Sequence, residues 1–346
     1  MRTQLNPSTI RRLDAVRALA ALTVVAAHLF PHTAGDLGPE AVMVFFLLSG
    51  FVIYANEHHR AVREPHLYLL RRARRLYPVL IVALIVSVAV MIMDGTLARE
   101  FKPSELLAIL AFQQTLGKSL NNAPLWSLSF EAIYYVTFPL LMLISVRWRF
   151  RFVLVLSAVA TLAFSAQPGL YLSAASCLAI WWAGAEAARL YGSPRQAFGP
   201  IYIGLGLLML IAALLAFTVP FSSGFVPFPR PARAYAGALI LIWLATSATP
   251  RLRLWFDEAL GRAAMLAPFS YGLYVIHYPL VTAWSASRSM PIRLLICVPL
   301  AFLLAWVAES ALRKGGWIGS ALSRMKQAPR PKGRGTEGLP VMIASR

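Results

Sequence analysis

The chain carries ten apolar stretches, near residues 13–30, 40–55, 76–93, 125–146, 152–166, 170–188, 200–219, 232–249, 264–284 and 291–312. About 20 mostly apolar residues are enough for a helix to cross ~30 Å of hydrocarbon. A segment in lipid must satisfy its backbone hydrogen bonds internally, so stretches of this length are read as helices. The pattern predicts an all-α integral membrane protein, a single bundle of about ten transmembrane helices. Composition excludes the competing classes: 58% of the 346 residues are hydrophobic and 14% charged, against about 45–50% and about 25% in an ordinary soluble domain. A soluble globular enzyme, a disordered chain and a small disulfide scaffold are therefore ruled out. Cys177 and Cys297 each lie inside an apolar run, where a structural disulfide is not expected.

The first stretch follows a basic N-terminus and has the layout of a signal peptide. No small-x-small cleavage site follows it, so it is read as an uncleaved first span. Segment 104–116 is apolar but only 13 residues long, which suits an interfacial or re-entrant helix.

Charge decides the orientation. Lys and Arg number 33 against 14 Asp and Glu, a formal charge of +19. Cytoplasmic loops carry the excess of Lys and Arg. With ten spans and both termini inside, segments 1–12, 56–75, 147–151, 189–199, 250–263 and 313–346 hold 25 of the basic residues. The outer segments 94–124, 220–233 and 285–293 hold 7, and Arg17 lies within the first span. Counting 104–116 as a span would put Arg147, Arg149 and Arg151 outside. The expected layout is one membrane domain over 1–316 and a basic, disordered cytoplasmic tail over 317–346. Basic residues set between apolar runs mark membrane lipid as a partner, not nucleic acid.

Ionisable side chains inside a span cost at least ~2.5–3.5 kcal/mol on insertion scales, which makes each a functional candidate. Arg17 and His28 are eleven residues apart on the first span. Eleven steps of a 3.6-residue helix return to the same face with a rise of ~16–17 Å. One stripe thus carries Arg17 near the inner end and His28 near the outer end, with Asp14 spaced to pair with Arg17. Packing alone would also account for both. Ser49 and Gly50 on the second span fit close helix packing, and Gly50 could instead clear space for a ligand chain.

Arg71, Arg72, Arg74 and Arg75 precede the third span. They serve as topology determinants and lipid-headgroup contacts, or as a polyphosphate site, since guanidinium binds phosphate in bidentate fashion. Arg72 and Arg75 share a face. His58, His59 and His66 do not have a metal-site spacing, and no metal is expected. Glu131 lies in the outer half of the fourth span with Ser127, Ser129, Tyr134 and Tyr135 near it. His277 lies in the outer half of the ninth, with Tyr271, Tyr274 and Tyr278. By depth alone, His28, Glu131 and His277 form an outer acid/base set, and Arg17, Arg72 and Arg75 an inner phosphate-binding set.

The stretches RLDAVRALAALTVVAAH (12–28), VFFLLSGFVIY (44–54), YLLRRARRLYP (68–78), LWSLSFEAIYYVTFPLL (125–141) and SYGLYVIHYPL (270–280) together resemble the acyltransferase-3 family. Its members are integral-membrane acyltransferases that commonly O-acylate sugars. The resemblance covers essentially the whole chain, in order. It implies transfer of an acyl group, usually acetyl from acetyl-CoA, to a hydroxyl of a carbohydrate or glycolipid acceptor. His28 stands at the family's essential first-span histidine, and Arg72 and Arg75 at its Arg-x-x-Arg element. On this reading His28, Glu131 and His277 are catalytic, while Arg17, Arg72 and Arg75 bind acyl-CoA, the co-substrate. The implied location is a bacterial cytoplasmic membrane. Ala15 and Ala18 stand where the family often has Gly. No fused periplasmic esterase-like domain is expected, which removes any inference toward peptidoglycan. The oligomeric state is not set. A secondary transporter using the same charges as an ion or proton path is the alternative, as is a lipid-binding scaffold.

Overall fold

The computed structural model describes residues 5–34, 37–114, 120–218, 230–247, 250–284 and 289–314. The tail expected over 317–346 lies outside them. Among the described residues there is no strand, and the elements are helices throughout. In order these are α1 (Pro7–Leu29), α2 (Leu37–Arg63), α3 (Pro65–Met93), α4 (Leu97–Glu100), α5 (Pro103–Leu110), α6 (Trp126–Leu141) and α7 (Val146–Ala166). Then follow α8 (Leu170–Arg189), α9 (Gly199–Thr218), α10 (Arg230–Ser247), α11 (Pro250–Leu260), α12 (Ser270–Tyr278), α13 (Met290–Ile292) and α14 (Val298–Lys314).

Prolines punctuate the bundle. Pro7 opens α1 behind Asn6, whose side chain accepts from the Ser8 amide at 3.3 Å, an N-cap that satisfies one of the helix's orphan donors. Pro65 separates α2 from α3 because the residue before proline is pushed out of helical conformation. Two expected spans differ from a plain α-helix. The stretch 264–284 runs as a 3-10 helix (Ala263–Phe269), then α12, then a π-helical turn (Pro279–Ala283). Pro268 and Pro279 each remove a backbone donor there, so the hydrogen-bond pattern changes around them. The stretch 291–312 likewise contains a π-helical turn (Arg293–Cys297) before α14. Within 125–146, α6 stops at Leu141, two residues after Pro139. Arg149, buried at the start of α7, donates to the Met142 carbonyl at 2.9 Å and to the Ile144 carbonyl at 2.8 Å.

Five of the described helical stretches are long and apolar enough to cross a membrane: Leu37–Arg63, Pro65–Met93, Val146–Ala166, Arg195–Leu215 and Met290–Ser310. Large apolar side chains such as Ile85, Ile203 and Leu295 point outward, which water would not tolerate over so wide a surface. The protein is a multi-pass membrane protein. Segment 104–116 overlaps the eight-residue α5, Pro103–Leu110; residues 115–116 lie outside the described ones.

α2 is central and packs on α1, α3, α6, α8 and α10. Its contact with α8 is backbone to backbone. A Cβ on Gly50 would stand 1.8 Å from the Trp181 carbonyl oxygen, and one on Gly184 would stand 1.9 Å from that of Leu47. Gly50 therefore serves helix packing, not a ligand chain. Around this contact Phe46, Phe130, Tyr134, Phe138, Trp181 and Trp182 form an aromatic core.

Candidate active site

Two helix ends bring together histidines 249 residues apart in sequence. His28 closes α1 and His277 lies near the end of α12; the His28 Nδ1 and His277 Nε2 atoms are 3.0 Å apart. His277 is fully buried, whereas His28 keeps an accessible side. Their hydrogen-bond partners fix the tautomers. The His277 Nδ1 lies 3.0 Å from the Leu273 carbonyl oxygen and 2.9 Å from that of Tyr274. Carbonyls only accept, so Nδ1 carries the proton. In the neutral ring Nε2 is then an acceptor, and the His28 Nδ1–H donates to it. The lone pair of the neutral His28 is left on Nε2. Tyr278 meets the His28 ring edge-on, with centroids 4.9 Å apart.

A cavity of about 260 Å³ opens between α1, α2, α3, α6 and α12. Arg17, Arg72 and Arg75 line it together with Ser49, Ser127, Glu131, Tyr135, Tyr271 and Tyr274. The three arginines face one space because Arg72 and Arg75 are one turn apart on α3 and α1 presents Arg17 from the side. Each has a carboxylate behind it. Arg17 donates to Asp14 at 3.2 Å, and Arg72 lies 3.5 Å from Glu57. Arg75 interacts electrostatically with Glu309 and Glu131. Arg75 also sits 5.4 Å over the Tyr271 ring. The Tyr271 hydroxyl and the Arg72 Nε are buried without a hydrogen-bond partner among the described residues. A volume near 260 Å³ is below the usual ~300–1,000 Å³ of a drug-sized site. It suits a thin arm or a short acyl group, not an entire nucleotide.

The six predicted residues thus divide differently from their depth in the membrane. His28 and His277 form a pair. Glu131 lines the cavity with the arginines, accepting hydrogen bonds from Tyr135 and, at 3.3 Å, from Ser49. Tyr274 connects the two parts. Its ring packs 5.5 Å from Phe45 in the cavity wall, its hydroxyl meets Ser127 at 2.6 Å, and its carbonyl accepts a hydrogen bond from the His277 Nδ1–H. Glu57 and Glu309, which stand behind arginines, were not legible as partners; the available signal was an acid within or beside a basic, membrane-bordering segment. Among the described residues no group of His, Cys, Asp and Glu is arranged to hold a metal ion.

Residues 10–310 match the model of the family described as an acyltransferase domain. The chain belongs to the acyltransferase-3 family. It is 24% identical to the peptidoglycan O-acetyltransferase OatA of Listeria monocytogenes, in an alignment covering 91% of this chain and 58% of that protein. It is 22% identical to YrhL of Bacillus subtilis, to which peptidoglycan O-acetyl transfer is provisionally assigned, over 78% of this chain and 48% of that one. The chain spans about half the length of these curated relatives. No solved structure matches it. Family membership favours acyl transfer over the transporter reading.

Proposed function

We propose that this protein is a membrane-embedded O-acyltransferase that moves an acyl group, acetyl by analogy with its relatives, from acyl-CoA to a hydroxyl of a carbohydrate or glycolipid. The observation that carries the reading is the His28–His277 pair beside an arginine-lined cavity. His28 is the general base. Its Nε2 takes the proton of the attacking hydroxyl as the oxygen bonds to the thioester carbonyl carbon. The carbon–sulfur bond then breaks, and the proton passes on to the departing thiolate. His277 holds the His28 ring in the tautomer that leaves Nε2 bare, the role a third group plays toward a catalytic base elsewhere. Arg17, Arg72 and Arg75 hold the donor, with guanidinium matched to its phosphates and the cavity matched in size to its thin arm. Glu131 is a counter-charge to these arginines and, with Tyr135 and Ser49, a wall of the donor site.

The membrane domain spans residues 1–316 with ten crossings and both termini inside, in a bacterial cytoplasmic membrane, so donor and acceptor approach from opposite faces. Contacts between segments support the grouping of their ends into two faces. Arg12 meets Asp257 at 2.7 Å and Thr9 meets Tyr191 at 2.9 Å, all in segments expected inside. Glu40 meets Arg233 at 3.0 Å and Gln113 meets Tyr171 at 2.5 Å, all in segments expected at the outer end. The relatives' names make a peptidoglycan-type glycan one acceptor to try. The test is release of free CoA thiol from acetyl-CoA by the purified protein with candidate glycans. No turnover with any acyl-CoA, in protein that binds none, would sink the proposal.

A further inference from the structure

The segment before α6 closes on α12 at a point the proposed reaction leaves unused. Asn122 is fully buried, and its Nδ2 donates to the Val275 carbonyl oxygen at 2.9 Å. In an α-helix that carbonyl would accept from the amide four residues on, at position 279. Residue 279 is proline and has no N–H. The Asn122 side chain supplies the missing donor. Its orientation is fixed by this bond, because a carbonyl can only accept, and its Oδ1 is left buried without a partner.

The position matters because Val275 is two residues from His277, in the same turn as the Leu273 and Tyr274 carbonyls that hold the His277 Nδ1. An unsatisfied carbonyl next to a proline break is where a helix bends or changes register, and a π-helical turn begins at Pro279. The chain delivers Asn122 there at a cost. Leu120 and Asn121 both adopt left-handed backbone angles, with φ of 45° and 55°, which L-residues avoid unless their surroundings enforce it. The enforcement is visible on both sides. Asn121 donates to Glu100, and Gln114 donates to the Leu125 carbonyl at 2.6 Å.

We infer that Asn122 is a positioning residue for the histidine pair: it stands in for the amide that Pro279 lacks, fixes the turn of α12 carrying His277, and so sets the direction in which His28 presents Nε2. This rests on the proposed role of the pair. The experiment is a cycle of Asn122→Ala, Pro279→Ala and the double variant, assayed for acetyl-CoA turnover in purified protein. Small displacements of catalytic groups cost up to ~10²-fold. N122A should therefore lower kcat by ~10- to 100-fold with KM for acetyl-CoA unchanged. In P279A the backbone amide returns, so adding N122A should then have little further effect. Where N122A does not accumulate folded, Asn122→Leu, close in size and without a hydrogen-bond donor, takes its place. Where P279A is itself inactive, the pH profile of kcat for the position-122 variant decides, and a profile displaced from wild type is expected. Wild-type kcat in the position-122 variant overturns the inference, as does an equal loss in the P279A background or an unmoved pH profile. His28→Gln separates the two readings. If it stays active, the histidine reading itself fails; if it is dead while the position-122 variant is unaffected, only the role of Asn122 fails.

Discussion

At the residue scale, the chemistry turns on which nitrogen of His28 is bare. The His277 ring is tied to backbone carbonyls, so the proton order of the pair follows from atoms that cannot change protonation. Replacing His28 by Gln keeps hydrogen-bonding capacity and removes basicity. Loss of a general base typically costs ~10²–10⁴-fold, so kcat should fall by that order while acetyl-CoA binding persists. A Gln variant near wild-type turnover would mean that His28 only ties α1 to α12. Arg72 gives the second prediction. Arg72→Ala should weaken acetyl-CoA binding with the protein still in the membrane, and Arg72→Lys should restore it only in part, since a lysine cannot make the bidentate contact. Unchanged affinity in the Ala variant would reduce this arginine to a topology and lipid contact. Helical phase made the Arg17–His28 stripe legible in sequence, and depth made both histidines candidates. Depth could not say which neighbour a helix faces, so Glu131 was grouped with the histidines, although α6 presents it to the arginines. Asn122 was invisible for a related reason. Its partner is a carbonyl orphaned by a proline 157 positions downstream, and no local pattern connects them.

At the element scale, helices were legible wherever apolar length alone defines them, and their interruptions were not. Pro268 and Pro279 can be read in the sequence, but whether proline breaks a helix or is absorbed by 3-10 and π turns depends on what its neighbours can donate. The small residues of α2 and α8 signalled close packing; that Gly50 meets Trp181 and Gly184 meets Leu47 required the pairing of the helices. α11 shows how a polar helix is held outside the apolar runs. Its Asp257 accepts from the Arg12 Nε at 2.8 Å and Nη2 at 2.7 Å, joining it to the start of α1. The Arg12 guanidinium holds the Asp257 carboxyl below its usual range. A carboxyl with a depressed folded value adds stability that is fully present above its unfolded value, ~3.9, and is lost as pH falls through the lower folded value. Partly exposed pairs contribute ~1 kcal/mol or less. Asp257→Asn should therefore lower the melting temperature slightly at pH 6, and the gap to wild type should close as pH drops below about 4. A gap that is the same at pH 3 and pH 6 would mean that the pair's charge contributes nothing.

At the scale of the whole molecule, the proposed reaction depends on which face of the membrane each end of the bundle occupies, because it needs donor and acceptor on opposite sides. The 25-to-7 split of basic residues sets one answer, provided the segment after α3 does not cross. α5 has eight residues, about 12 Å of helix at 1.5 Å per residue, less than half of ~30 Å of hydrocarbon. The chain should therefore enter and leave this segment on the same side, with Arg99 outside and Arg147 inside. Both positions are exposed: the Arg99 side chain is 78% accessible, and Arg147 lies over Trp148 at the start of α7. Arg149 is a poorer probe because it is buried and caps α6. Cys177 and Cys297 are free and buried, and replacing both by Ser or Ala leaves a background for single probes. In intact cells a membrane-impermeant maleimide should label Arg99→Cys directly and Arg147→Cys only after the membrane is opened. Labelling of both from outside would mean that the chain crosses between them an even number of times. The arginine cavity and the histidine pair would then have to be reassigned to faces from α7 onward, and His277 would no longer lie on the acceptor side that its pairing with His28 requires.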